Sequence, residues 1–345
     1  MHRPHPRATV VAATSLAAAL LAACTPGGGP DAAAVGTASS GTGTVTSCGA
    51  TVPVPAEARA VVALKSSAVE AVVALGGAGQ LAGVAALDGE LPTHVTGVDD
   101  AAWDVTLPVL SEDVPSFEAV LELEPDAVLA GWESNLSAEG AGAREDWADL
   151  GVATWVSPSA CRDPELQPDH LAFDDVFAEI EAIGTLLGRE EEAASVVAAQ
   201  RSALADLTAR VGQGTDRPLA LWWSSGTDTP YVGGGIGAPQ LIMDTAGLGN
   251  VAADVADTWA SLSWEEIAGR DPDVIVLVDS AWNTAEHKRA ALAANPVTAA
   301  MDAVRLERYL VVPFPATQAG VRTLDAALTL AGQLAALPAA AEVAP

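Results

Sequence analysis

The chain has 345 residues, half of them hydrophobic, enough apolar material for the core of one large or two medium domains. Its 16 Lys and Arg against 45 Asp and Glu leave a formal charge of -29. Such a surface repels nucleic acid and anionic lipid, which excludes nucleic-acid functions; beyond that the acidity serves solubility and is silent about a ligand.

Arg3 and Arg7 form a basic start and Ala8 to Leu21 a short apolar run, the pattern of an export signal over residues 1–23. The run is too short to span a bilayer comfortably. It ends in Leu21-Ala22-Ala23-Cys24, which looks like a lipobox, whose cysteine becomes the lipid-modified N-terminus of a protein held on the outer face of a Gram-positive-type cell membrane. The alternative is an ordinary signal peptide with an accidental cysteine. Residues 25–47 are Gly, Thr, Ser, Pro and Ala with few large apolar side chains, so 24–57 reads as the lipidated Cys24 and a flexible linker. With Cys24 assigned to lipid, Cys48 and Cys161 remain, and a pair in an oxidising compartment suggests a disulfide; two buried thiols are the alternative.

Apolar runs at Ala60–Leu64, Leu81–Ala86, Ala127–Ala130, Ala153–Val156, Leu219–Trp223, Val274–Val278 and Tyr309–Val312 alternate with helical patterns, which predicts an α/β fold with mainly parallel sheets. Ser116 to Leu129 can be laid on Ser263 to Val276 without a gap, with Ser, Glu, Pro and Asp in register. In each copy Ser is a plausible N-cap, Glu118 or Glu265 stands in the first turn where the helix dipole favours an anion, and Pro ends the short helix before a buried strand. Between the copies, Phe173 to Val211 carries apolar residues at helical spacing, interrupted around Gly184 and Gly188, and reads as a long helical connector. The expected organisation is an N-terminal α/β lobe over 58–165, the connector over 166–215 and a C-terminal α/β lobe over 216–338, with a ligand cleft between the lobes.

Val61-Val62-Ala63-Leu64-Lys65-Ser66-Ser67-Ala68-Val69-Glu70, the paired Glu and Pro-Asp motifs, and Leu241 to Val251 ending Ala246-Gly247-Leu248-Gly249-Asn250-Val251 resemble the class III periplasmic binding proteins. These are the cobalamin, haem and ferric-siderophore receptors of ABC importers, and the resemblance covers nearly all of the chain from residue 58. It implies a monomer that delivers a small molecule to a permease and its ATPase, docking through one surface glutamate per lobe at Glu118 and Glu265. The plain alternative is that each merely complements its helix dipole. Tyr231 to Gln240, Trp282 to Glu286 and Pro313 to Thr317 look like an actinobacterial branch of such receptors proposed to import a deazaflavin coenzyme precursor.

Ligands of open α/β sheets bind beyond the carboxyl ends of the strands, which singles out Lys65, Ser66, Asp88, Trp132, Trp222, Trp223, Ser224, Tyr231, Gly233, Trp259, Trp282, Asn283, Phe314 and Thr317. Five of the nine tryptophans fall there, as expected for a broad flat ligand stacked between indoles, although one of the adjacent Trp222 and Trp223 must point inward if both lie on a strand. Lys65 and Arg322 are scarce cations that either bind a ligand phosphate or carboxylate or pair with neighbouring carboxylates. Gly233 to Ala238 is a weak match to a dinucleotide fingerprint and reads better as backbone closing on a ligand at a helix start. His94, His170 and His287 lack ligand spacing, so no metal site and no cofactor is expected, and no nucleophile elbow or hydrolase motif points to an enzyme. A lipid-anchored enzyme and a surface scaffold on the same lobes are the rival readings.

Overall fold

The computed structural model describes residues 40–212 and 217–338, so the export signal, Cys24 and the first part of the expected linker lie outside the described residues. The chain enters on a hairpin, β1 (Ser40–Ser47) and β2 (Ala50–Pro55), paired antiparallel. Its two-residue turn is Cys48-Gly49, both with positive φ (45° and 73°), the conformation whose twist suits a tight hairpin. The flexible linker expected over 24–57 therefore gives way to paired strands at residue 40.

The N-terminal lobe follows with β3 (Val61–Leu64), α1 (Ser66–Ala74), β4 (Leu81–Ala85), β5 (Val109–Ser111), α2 (Phe117–Leu121), β6 (Ala127–Ala130), α3 (Arg144–Asp149) and β7 (Ala153–Val156). The strands form a parallel sheet in the order β5-β4-β3-β6-β7. β3, β6 and β7 are buried along their whole length, which is why their sequences run apolar without alternation. Each Val or Leu sealed in this way is worth about 1.5–3 kcal/mol relative to exposure.

The connector is two helices rather than one, α4 (Phe173–Leu187) and α5 (Glu190–Val211). Gly188 ends α4 in the left-handed region at φ 66°, where a β-carbon is disfavoured. Gly184 lets the two helices close up, since a β-carbon there would lie 2.5 Å from that of Ala193.

The C-terminal lobe contains β8 (Leu219–Ser225), β9 (Tyr231–Gly233), α6 (Ala238–Ala246), β10 (Gly249–Asn250), β11 (Trp259–Ser261), α7 (Trp264–Arg270), β12 (Val274–Asp279), α8 (Ala285–Ala294), α9 (Asp302–Arg305), β13 (Tyr309–Pro313) and α10 (Thr323–Ala336). Its sheet runs β11-β9-β8-β12-β13 with β10 also on β8; β8, β10, β12 and β13 are parallel, and β9 and β11 antiparallel. No helix among the described residues is long and apolar enough to cross a membrane.

The internal repeat marks the same structural device in both lobes. Ser116 and Ser263 cap α2 and α7 by accepting from the Ala119 and Glu266 amides. The Asp of each Pro-Asp step ties down the start of the adjoining strand: Asp126 Oδ2 accepts from the Arg59 and Ala60 amides at 2.8 and 2.9 Å, and Asp273 Oδ2 from the Leu219 amide at 2.7 Å. The Asp126 and Asp273 amides in turn donate to the Ala60 and Leu219 carbonyls, both at 2.8 Å. β3 is thus set on β6 as β8 is set on β12.

Candidate functional site

The carboxyl ends of the two sheets face one another across a narrow cleft. Gly131 and Trp132 reach it directly after β6 and Ser157 and Ser159 after β7; opposite lie Thr258, Trp259 and the Thr317-Gln318 step after β13. The free space in it is about 20 Å³, room for a water molecule or two. A cofactor-sized ligand therefore needs the indoles or the lobes to part.

Aromatic side chains concentrate in the C-terminal lobe. The register of β9 with β11 pairs Trp259 with Gly233, which brings Tyr231 diagonally beside Trp259. Their rings stack at 5.8 Å and 17°. Trp282, 60% exposed, meets Phe314 edge-on at 5.0 Å, because each follows the end of one of the neighbouring strands β12 and β13. Asn283 closes the turn after β12 through its backbone and Ser280, leaving its Oδ1 buried without a partner.

Several sequence-selected residues sit elsewhere than expected. Trp222 and Trp223 are 0% and 1% exposed and belong to the apolar layers on opposite faces of the C-terminal sheet, so neither is available to a ligand. Their alternation was sound, but helices cover both faces of this sheet. Gly233 is buried against Pro239 and Trp222. In the glycines that follow it, backbone meets backbone rather than ligand: a β-carbon on Gly234 or Gly235 would lie 2.2 or 2.3 Å from the Asp257 or Ala253 carbonyl. Ser224 is buried, and its carbonyl accepts from Lys288 Nζ at 2.7 Å. Lys288 is wholly buried, bonds the Val278 carbonyl as well, and is held down to about 8 by desolvation; it closes the ends of β8 and β12.

The scarce cations are paired. Arg322, at the start of α10, holds Glu70 of α1 in a buried ion pair and also donates to the Glu90 carbonyl, so it is a tie between lobes and not a ligand group. Lys65 Nζ donates to Asp88 Oδ1 at 2.8 Å. Asp88 is further held by its own amide, which donates to Ser66 Oγ at 2.8 Å, and by Gln318 Nε2 at 3.5 Å. Ser67 Oγ donates to Gln318 Oε1 at 2.8 Å, joining the lobes beside the cleft. Arg144 pairs with Glu133 at 3.4 Å.

Sequence reasoning missed Ser157, Ser159, Thr258 and Gln318, which line the cleft, and Glu179 behind it. Ser157 and Ser159 stand directly after the run Ala153–Val156, so the rule of strand ends could have found them. Glu179 on α4 accepts from Ser157 Oγ at 2.8 Å, and burial pushes its carboxyl up to about 7 against the pull of that bond. No sequence signal separates it from the other acids of the connector.

Glu118 and Glu265 are both exposed on the first turns of α2 and α7. The residue before each is an aromatic anchor: Phe117 lies 4.6 Å from Trp147 and Trp264 5.0 Å from Trp223. The Glu118 carboxyl is held below the usual carboxylate range by its own backbone N–H and then by the Ser116 hydroxyl. Cys48 and Cys161 are joined in a disulfide that ties the hairpin to the segment after β7.

The family described as periplasmic binding protein matches residues 61–315. Among solved structures, a periplasmic binding protein from Veillonella parvula dsm 2008 superposes with a TM-score of 0.73 at 24% identity, over 86% of this chain and 98% of that one. An ABC-type Fe3+-hydroxamate transport system from Saccharomonospora viridis DSM 43017 gives 0.69 at 25% identity, over 85% and 99%. The periplasmic heme binding protein HutB of Vibrio cholerae gives 0.63 at 19%, over 80% and 98%. No curated protein matches the sequence. With the family match spanning most of the chain and the two lobes meeting at their strand ends, the protein belongs to the periplasmic binding protein family.

Proposed function

We propose that the protein is the ligand-capturing subunit of an ABC importer, which holds a cofactor-like or metal-chelate molecule between its lobes and hands it to a permease and its ATPase without catalysing a reaction. The observation that carries this reading is the narrow cleft at the strand ends, with an indole from each lobe, Trp132 and Trp259, on its walls. The Fe3+-hydroxamate and heme neighbours support a ferric siderophore or haem; the segments around Tyr231, Trp282 and Phe314 support a deazaflavin precursor, and cobalamin completes the set. Glu118 and Glu265 are the docking handles, matched in sequence and in helix position for a permease of two-fold symmetry. Cys24 carries the lipid that keeps the monomer on the outer face of the membrane.

Intrinsic tryptophan fluorescence tests this on the folded chain from residue 40 onward, titrated with a deazaflavin precursor, cobalamin, haem and ferric siderophores. Saturable quenching by one of them, weakened by Trp132→Ala or Trp259→Ala, supports capture. Silence with every compound removes it and brings forward the scaffold reading.

A further inference from the structure

Three hydrogen-bonding groups run in series from the interior to the cleft wall. Glu179 on α4 is buried, and its Oε2 lies 2.8 Å from Ser157 Oγ, which lies 3.0 Å from Ser159 Oγ. Both serines line the cleft. Ser157 is the only hydrogen-bond partner of the Glu179 carboxyl among the described residues. The backbone beneath the serines is held at both ends: the Ser47 hydroxyl clasps Val156 before them, and Cys161 after them is bonded to Cys48. A change of protonation can therefore turn the hydroxyls while the chain stays in place.

The direction of the series depends on the charge at its buried end, because each hydroxyl has one proton to give. An ionised Glu179 only accepts, so Ser157 donates to it and Ser159 donates to Ser157. Ser159 then keeps only lone pairs to offer the cleft. A neutral Glu179 owns a proton whose one partner is Ser157. Ser157 accepts it and donates to Ser159, which is left with a free O–H. One proton taken up in the interior thus changes the wall from acceptor to donor two hydroxyls away.

No neighbouring charge shifts this carboxyl: burial pushes it up to about 7, and the Ser157 bond pulls against that. Among the elements packed against α4, α1 brings Glu70, bound to Arg322, and β1 and β2 bring no titratable group. α5 brings Arg189 paired with Glu192, Arg201 paired with Asp174 of α4, and the exposed Glu190, Glu191, Asp206 and Arg210. On α4 itself, Asp175 caps the helix start and Glu181 is exposed; beyond Cys161, Arg162, Asp163 and Glu165 are exposed.

We infer that Glu179 is a positioning residue that sets the hydrogen-bonding polarity of Ser159, so that the cleft offers a donor there when the carboxyl is neutral and an acceptor when it is ionised. This rests on the reading of the cleft as the capture site and adds a proton-linked control of its affinity. A ligand with an acceptor against Ser159 is held more tightly on the acid side, and one with a donor on the alkaline side.

The test is a tryptophan-quenching titration at pH 5.5 and pH 8 with haem, cobalamin, a ferric siderophore and a deazaflavin precursor. For the compound that binds, the dissociation constant should differ about fivefold between the two pH values, the factor expected for one hydrogen bond gained or lost. Glu179→Gln carries an amide N–H in place of the acid proton, so at both pH values it should bind as the parent does at pH 5.5. Ser159→Ala should lose the pH dependence although Glu179 still titrates. Equal affinity of the parent at both pH values overturns the inference while leaving capture in place. So does a pH dependence that survives in Glu179→Gln, where the ligand's own titration is its source, or in Ser159→Ala, where the Glu179 charge acts through space. Silence with all four compounds removes capture, and a carbon NMR titration of the Glu179 carboxyl then decides the relay. A midpoint near 7 that rises in Ser157→Ala supports it; a midpoint near 4.5, or one that Ser157→Ala does not move, overturns it.

Discussion

Glu70 on α1 and Arg322 at the start of α10, separated by 252 residues, form a buried ion pair between the two lobes, with Arg322 Nε donating to Glu70 Oε2 at 2.5 Å. Burial pushes the Glu70 carboxyl up, and the Arg322 hydrogen bond pulls against it. Removing one member strands the other charge in the interior. Arg322→Met or Glu70→Leu alone should cost about 3–5 kcal/mol in urea unfolding, while the double variant should recover most of that loss. A double variant as unstable as either single one would mean the pair contributes through something other than charge compensation.

Glu179 sets a pH dependence. Its carboxyl moves from 4.5 to about 7, so the folded chain binds a proton that the unfolded chain has released. That contribution is complete below pH 4.5 and is lost as pH rises toward 7, roughly 3 kcal/mol over the window. Glu179→Gln should flatten the stability profile between pH 4.5 and 7 and leave the variant more stable than the parent at pH 8. Chemical unfolding at a series of pH values measures it; an unchanged slope would remove Glu179 as its source.

The Cys48–Cys161 disulfide closes a loop of 113 residues. Cys48→Ser with Cys161→Ser should lower stability by roughly 2–5 kcal/mol, and dithiothreitol should lower the melting temperature of the parent but not of the variant.

Glu118→Ala and Glu265→Ala should leave ligand affinity unchanged, because both are exposed on helices away from the cleft lining. Uptake into cells should fall at least tenfold for the double variant. Normal uptake with both changed would reduce the two glutamates to helix-dipole partners, worth about 0.3–1 kcal/mol each.

Much of the scaffold was legible because its signals are local. The strands β3, β6, β7, β8, β12 and β13 are short apolar runs, and the Ser cap and Pro-Asp clamp of each lobe repeat because each performs one backbone task twice. What escaped depends on contacts distant in sequence. β1 and β2 look like linker by composition, and pair through a Cys48-Gly49 turn whose X-Gly form between Thr- and Val-bearing runs was the available sign. In the site, Trp132 and Trp259 could be placed by the strand-end rule, yet Trp222 and Trp223 could not, because burial on both faces depends on how α/β layers assemble. Lys65 and Arg322 were identified as scarce cations, but their partners Asp88 and Glu70 come from elements that only folding brings near.

β7 is the outermost strand of the N-terminal sheet, and the Ser47 hydroxyl both accepts from the Val156 amide at 2.9 Å and donates to its carbonyl at 3.1 Å. A bare rim of a sheet invites a neighbouring molecule to add its own strand. The hairpin shutters that rim, and the disulfide latches the shutter. This closure keeps adjacent molecules from zipping together at their sheet margins, so the reduced protein should gather into oligomers before it loses its fold.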